Sequence, residues 1–180
     1  MSASDRELRA DRLAAAMQQH FGDDQARIDH AFAVLRWARE LLGEEGGDPT
    51  VVIAAALLHD VGIPEARRKY GSSAGRYQQI EGPPIARRIM QELGLDDPTI
   101  EHVVRIIGNH HTGRDIDTVE FNILWDADWL VNLPEEFPDA ARRREAAGQA
   151  MRTATGRRLA ERLPTGGAER AGQPDEEGER

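Results

Sequence analysis

The sequence has no cysteine among its 180 residues. Disulfides, thiolate zinc sites and cysteine nucleophiles are therefore excluded, and a metal site in this protein would have to use histidine, aspartate and glutamate. Long hydrophobic runs are also missing, because no stretch approaches the roughly 18 consecutive apolar residues that a membrane-spanning helix needs. We therefore expect a soluble, cytoplasmic protein with no membrane partner.

Basic residues are outnumbered by acidic ones, which gives the chain a formal net charge of -9. Such a charge opposes broad contact with the phosphate backbone of a nucleic acid polymer, so it favours a small substrate. The length fits one domain with a real core, which we assign to residues 1–163. Residues 164–180 have no large apolar side chain, and their composition predicts a disordered tail.

Apolar residues recur at helical spacing, and no segment shows the alternation of a strand, so the sequence predicts an all-α fold. The polar segment 64–80 is expected to be a long loop or a broken helix, a kind of segment that is usually functional in a compact domain. The predicted helices cover residues 5–20, 24–42, 49–60, 81–93, 97–107, 118–132 and 134–163.

One apolar run is followed directly by two ionisable side chains, His59 and Asp60, and then by Gly62. The run predicts the central, buried helix, and a buried carboxylate must be paired, hydrogen-bonded or metal-bound. Other helix ends carry further metal-ligand types, and imidazole together with carboxylate suits Fe, Mn, Co, Ni or Zn. These further candidates are His30, Glu81, His110, His111, Asp126 and Asp128.

The order His30, His59-Asp60, Asp128 resembles the H…HD…D signature of the HD-domain metal-dependent phosphohydrolases, over about residues 25–135. The resemblance implies an HD-type helical bundle in which these four residues hold a divalent transition metal, with Asp126 as the alternative to Asp128. It also implies hydrolysis of a phosphate ester or anhydride, in a nucleotide or another small phosphorylated compound, by metal-activated water. The oligomeric state is left open.

A second resemblance concerns dinuclear members of the family, including those that hydrolyse diadenosine tetraphosphate. They have a histidine before Gly-Pro and a later His-Thr-x-Gly, and the segments EGPP and NHHTG occupy comparable places here. This resemblance implies that Glu81 and His110 are ligands of a second ion, with Asp60 as the bridge. Whether the chain holds one ion or two stays open. His111 is the candidate for proton transfer to the leaving oxygen, because an unperturbed imidazole titrates near neutral pH.

Many family members have a lysine after His-Asp-x-Gly, where this chain has Ile63. We therefore assign phosphate binding to Arg68, Lys69 and Arg76. Two other functions remain as alternatives: a diiron oxygenase on the same scaffold, and a non-catalytic regulatory protein that binds nucleotides.

Overall fold

A computed structural model describes residues 3–163, with side chains from residue 5 onward, and these residues form helices without any strand. The prediction of an all-α fold is therefore confirmed. In chain order the helices are α1 (Ala3–Phe21), α2 (Gln25–Glu45), α3 (Pro49–Leu58), α4 (Ile63–Tyr70), α5 (Gly75–Glu92), α6 (Asp97–Ile107), α7 (Val119–Glu136), α8 (Ala140–Ala150) and α9 (Ala154–Ala160).

Helix α3 is the centre of the fold. The Asp48 carboxylate caps its first turn by accepting from the amides of Thr50 and Val51, and Pro49 supplies a residue already fixed in a helical φ. Every residue from position 50 to 58 is buried. Helices α1, α2, α6 and α7 pack around α3, so an element that is apolar on all sides finds apolar neighbours on all sides.

The segment Pro49–Tyr70 is long and apolar enough to cross a membrane by length and composition alone. However, 78% of its apolar window is buried inside the fold. The core helix of a globular domain passes the same test, and the burial of α3 accounts for this one.

Residues 64–80 form a broken helix, which was one of the two predicted alternatives. Helix α4 ends at Gly71, which takes a left-handed conformation with a φ of 65°. Helix α5 then begins at Gly75 and not near Glu81, so the predicted start of that helix is wrong. Pro83 and Pro84 lie inside α5, although prolines are more common in the first turn of a helix.

Two glycines allow the turn after α3 to touch the backbone of α5. A Cβ atom on Gly62 would lie 2.7 Å from the amide nitrogen of Gly82 and 2.8 Å from the carbonyl oxygen of Gln78. Real Cβ atoms do not approach other atoms so closely, so this position requires glycine. The contact places the first turns of α5 beside His59 and Asp60.

The predicted helix over residues 134–163 is wrong as a single element. Helix α7 continues through Pro134 to Glu136, and α8 and α9 follow as separate helices. The break after α7 lies at Phe137, whose position before Pro138 disfavours helical dihedrals. The Asp139 carboxylate then caps α8. The predicted disordered tail, residues 164–180, lies outside the described part of the chain.

Candidate metal centre

Three helices bring His30, His59, Asp60 and Asp128 together. Helix α2 packs against both α3 and α7, and it carries His30 to a point between the end of α3 and the middle of α7. Nε2 of His30 lies 3.3 Å from Nε2 of His59 and 3.1 Å from Oδ1 of Asp128. Oδ2 of Asp60 lies 3.6 Å from Nε2 of His59 and 3.8 Å from Nε2 of His30. The four predicted ligands of the first ion thus converge.

Backbone carbonyls fix the orientation of two buried imidazoles. Nδ1 of His59 lies 3.0 Å from the carbonyl oxygen of Ala56, and Nδ1 of His110 lies 2.7 Å from that of Ile107. A carbonyl oxygen only accepts, so we assign the Nδ1 proton to each ring as the donor. In its neutral form each ring then has its lone pair on Nε2, which faces the cluster, as in metal-binding histidines.

The carboxylates of the cluster are ionised at neutral pH. Burial by itself would raise the pKa of Asp60, but the neighbouring imidazoles of His59 and His110 hold that pKa well below its usual value. Desolvation also opposes ionisation of Asp128, yet the hydrogen bond with His30 lowers its pKa. Asn132 donates a further hydrogen bond of 3.0 Å to Oδ1 of Asp128. Two negative oxygen donors therefore stand beside the imidazole nitrogens.

Asp60 belongs to two groups of possible ligands. It lies with His30 and His59 in one group and with His110 and His111 in the other, and the ligand atoms of each group are within 4.8 Å of one another. Its Oδ2 faces His30 and His59, whereas its Oδ1 lies 3.8 Å from Nε2 of His110. This is the arrangement that a carboxylate bridging two ions requires.

Two buried polar atoms near the cluster lack a hydrogen-bond partner. Among the described residues, the buried side-chain polar atoms without a hydrogen-bond partner are Nε2 of His110 and Oε1 of Gln78. A buried polar atom without a partner is destabilising, and native structures seldom leave one unexplained. Nε2 of His110 lies 3.8 Å from Oδ1 of Asp60, so a cation held between these two side chains would satisfy it. The chemistry of the residues fits a divalent metal.

Gln78 was not predicted from the sequence. Its Nε2 donates to the carbonyl oxygen of Ser73 at 2.7 Å, which leaves Oε1 as the free end of the amide. Gln78 lines an open cavity of about 660 Å³ together with residues of the cluster. The cavity is lined by Ala26, Arg27, Asp29, His30, Ala33, Asp60, Ile63, Gln78, His111, Asp128, Val131, Asn132 and Glu135.

Glu81 does not join the cluster. Its carboxylate accepts from Nζ of Lys69 at 2.7 Å and from the hydroxyl of Tyr70 at 2.9 Å, which ties α5 to the end of α4. It lines a different cavity, beside His20 and Arg88, and it belongs to neither ligand group in the described chain. The structure therefore does not bring Glu81 to the other candidate ligands of a second ion, and its ion pair with Lys69 ties two helices together.

Asp126 and Asp128 have separate roles. Asp126 is fully buried and accepts from the backbone amides of Arg152 and Thr153 and from the Thr153 hydroxyl, at 2.7, 2.9 and 2.7 Å. These bonds fix the connection between α8 and α9. Asp128 faces His30 instead. Of the two alternatives, Asp128 is the one whose geometry suits a ligand.

The cations predicted to bind phosphate lie elsewhere. Arg68 forms two hydrogen bonds with Glu65, and Lys69 pairs with Glu65 and Glu81. Arg76 stacks over the ring of Tyr77 and donates to its hydroxyl. None of the three lines the cavity at the cluster. Their assignment as phosphate contacts therefore has no support in the geometry.

Arg27 is the cation that reaches the cluster, and the sequence analysis missed it. Its Nη1 lies 3.8 Å from Oδ2 of Asp60, and it is the one arginine or lysine among the residues that line the cavity. An arginine on an amphipathic helix is ordinarily a surface residue. Its position one turn before His30 was the available signal, because residues three apart share a helix face.

His111 lies at the edge of the cavity with its ring 4.0 Å from that of His110, centroid to centroid. Desolvation and the neighbouring charge of His110 lower the pKa of His111 below the ordinary 6.5. The expected near-neutral pKa is therefore corrected. A neutral His111 at pH 7 is suited to accept a proton or to ligate a metal.

The family model of the HD domain matches residues 27–133, a range that contains all of the predicted ligands. The chain belongs to the HD-domain family. This HD-domain protein is similar to a crystal structure described as a predicted HD superfamily hydrolase from an uncultured Thermotogales bacterium. The two share 27% sequence identity with a TM-score of 0.63, over 83% of this chain and 81% of the other. No curated protein matches the chain.

Membership in this family identifies the chain as part of a superfamily of metal-dependent hydrolases. Family members bind divalent metals, and the two groups of histidine and aspartate described above are where an ion could be held. The individual ligand assignments, the kind of ion and the number of ions remain predictions.

Proposed function

We propose that this HD-domain protein is a phosphohydrolase that acts on a small phosphorylated substrate, with nucleotides as the favoured class. One observation carries the proposal. His30, His59, Asp60 and Asp128 converge with their lone pairs beside a cavity that contains one arginine, Arg27. Metal ligands and a guanidinium together are what hydrolysis of a phosphate ester needs, because both the attacking water and the phosphoryl charge must be stabilised.

His30, His59, Asp60 and Asp128 would hold the first divalent ion. When bound, such an ion lowers the pKa of water and polarises phosphoryl oxygens. His110, with Asp60 and His111, supplies a second group of donors for an additional ion. The donor set suits Fe, Mn, Co, Ni or Zn better than Mg or Ca, because it combines imidazole nitrogens with carboxylate oxygens.

The remaining roles belong to side chains around the cluster. Arg27 places a permanent positive charge beside Asp60, where it offsets the negative charge of a phosphoryl group. Where only the first ion is bound, His111, neutral at pH 7 and at the edge of the cavity, is positioned to take a proton from the attacking water; a second ion on His111 would remove this role. The backbone of Gly75 packs closely against the His111 ring. A Cβ atom on Gly75 would lie 2.6 Å from that ring, so the contact requires glycine.

The test is a metal and substrate panel. Protein stripped of metal is reloaded in turn with Mn, Fe(II), Co, Ni and Zn, and phosphate release is measured with nucleoside mono-, di- and triphosphates and dinucleoside polyphosphates. Asp60→Asn is the matched inactive control. Oxygen consumption by the Fe-loaded protein without phosphate release would support the oxygenase instead. Nucleotide binding without either reaction would support the regulatory alternative.

A further inference from the structure

The charges around the cavity limit how much phosphate it can accept. Beyond the predicted metal ligands, its lining has one positive side chain, Arg27, and two carboxylates, Asp29 and Glu135. The other polar side chains are Gln78, His111 and Asn132, and none of them carries a permanent positive charge. Sites for triphosphates need several cationic groups, because such substrates carry three or four negative charges, and here a bound metal and Arg27 would be the cations at hand.

Arg27 is free to bind one phosphate group. Its Nη1 is 3.8 Å from Oδ2 of Asp60, which is too far for a hydrogen bond, and no other described contact occupies its guanidinium. The side chain is 31% exposed, so its donors reach the cavity. A guanidinium binds a phosphate through two parallel N–H···O bonds. Oδ2 of Asp60, which lies near Arg27, also faces His30 and His59. One phosphate group could therefore contact Arg27 while it lies beside the predicted metal ligands.

The two carboxylates lie on the helices that flank the cluster. Asp29 is next to His30 on α2, and Glu135 lies one residue before the end of α7. Both are exposed at the mouth of the cavity. A second or third phosphate in this cavity would share it with these two carboxylates and with no further arginine or lysine in the lining, and like charges repel. Hydroxyl groups would instead donate hydrogen bonds to them, as would an amino group.

We propose that the substrate is a phosphate monoester whose organic part carries hydroxyl groups, such as a nucleoside monophosphate, with Arg27 binding its one phosphate and Asp29 and Glu135 excluding polyphosphates. The proposal rests on the phosphohydrolase function proposed above. In the reaction, the oxygen of one water forms a bond to phosphorus and the ester P–O bond breaks. The leaving oxygen takes up a proton, and the products are an alcohol and inorganic phosphate.

The kinetic test compares AMP, ADP and ATP at one fixed metal concentration. We expect kcat/KM to be highest for AMP and to fall by about tenfold or more with each added phosphate. Arg27→Ala should lower kcat/KM for AMP by about a hundredfold, chiefly through KM, and Arg27→Lys should recover part of it. Asp29→Asn combined with Glu135→Gln should raise the ATP to AMP ratio of kcat/KM by about tenfold. Arg68→Gln, outside the cavity, is the control and should change neither.

A binding test separates this inference from the proposed function. Calorimetry with the metal-loaded protein uses inorganic phosphate, pyrophosphate and tripolyphosphate as probes. We expect phosphate to bind most tightly and Arg27→Ala to remove that binding. Failure to hydrolyse any substrate, with this order of binding intact, would refute the phosphohydrolase and leave the single-phosphate site standing. Hydrolysis of ATP at least as fast as AMP, or tighter binding of tripolyphosphate, would overturn the inference.

Discussion

Nε2 of His30 and Nε2 of His59 face each other at 3.3 Å. We assign the proton of His59 to Nδ1, which contacts the Ala56 carbonyl, so a proton between the two rings must come from His30. That same proton also faces Oδ1 of Asp128, at 3.1 Å. A single proton on Nε2 of His30 thus faces two acceptors, Nε2 of His59 and Oδ1 of Asp128. A divalent ion at this place would bind all three atoms, with the proton released.

Metal uptake should therefore release protons. Burial lowers the pKa of His30 and of His110, but the carboxylates of Asp128 and Asp60 outweigh it and raise both values above the ordinary 6.5. A raised pKa keeps each ring protonated to higher pH, so metal affinity should increase as pH rises through these values and be weakest below them. Calorimetry in buffers of different ionisation enthalpy, at about pH 6 and about pH 8, measures the protons released.

More protons should be released at the lower pH, and His30→Gln should release fewer than the wild type. Metal affinity that does not change between the two pH values would contradict the proposed ligation by His30 and His110.

Asp60→Asn should abolish metal binding with little change in helical content. The amide keeps the size of the carboxylate but removes the charge that both ligand groups share. We expect the wild type to gain thermal stability on loading with metal and the variant to gain none, since an ion that binds only the folded state stabilises it. Elemental analysis and thermal unfolding monitored by circular dichroism measure both effects. Full metal occupancy in Asp60→Asn would refute the site.

Asp126 and Asp128 offer a matched pair. Asp126→Asn should leave metal content unchanged but lower stability by about 2 kcal/mol, because an amide oxygen cannot accept from all three donors, two of them buried, that the carboxylate now serves. That corresponds to a fall in Tm of roughly 4–8 °C for a chain of this size. Asp128→Asn should do the reverse: it should remove the metal while changing the Tm of the metal-free protein little. Loss of metal in the Asp126 variant would contradict this assignment and show that Asp126 is a ligand.

The number of ions can be tested with Glu81 and His110. Glu81→Gln should leave the metal content unchanged, because Glu81 pairs with Lys69 and Tyr70. His110→Ala should remove one ion per chain if two are bound, because its free Nε2 is directed at Asp60. Elemental analysis of both variants beside the wild type decides the question. One ion in all three proteins would show that the chain holds a single metal.

The sequence predicted the helical fold because helices depend on local patterns, and the resemblance to the HD-domain family implied the convergence of the main cluster. An apolar run ending in His59-Asp60 already implies a buried helix whose end carries ligands, and family spacing adds His30 and Asp128. Long stretches of helix were placed correctly for the same reason, since apolar spacing and caps are local.

Errors arose where tertiary contacts decide. Pro83 and Pro84 resemble the start of a helix, so Gln78 was placed before that helix, in a predicted loop or broken helix, and its position at the cavity could not be foreseen. Glu81 was assigned as a metal ligand by its place in a motif, but Lys69 and Tyr70 on the neighbouring helix donate hydrogen bonds to its carboxylate. Arg27 has no distinguishing local pattern, because its partner Asp60 is brought to it only by the packing of α2 on α3.

The contact of Gly62 with Gly82 and Gln78 has a consequence for how the protein tolerates mutation. Gly62 has no side chain with which to bind a metal or a substrate, yet one added methyl group would push α5 away from the end of α3. A mutational scan should therefore rank Gly62 beside the ligands in its effect on activity. Residues that look essential in such a scan are thus of two kinds here. Some have side chains that would bind the metal or the substrate, and others, such as Gly62, lack a side chain and so allow two helices to lie close together.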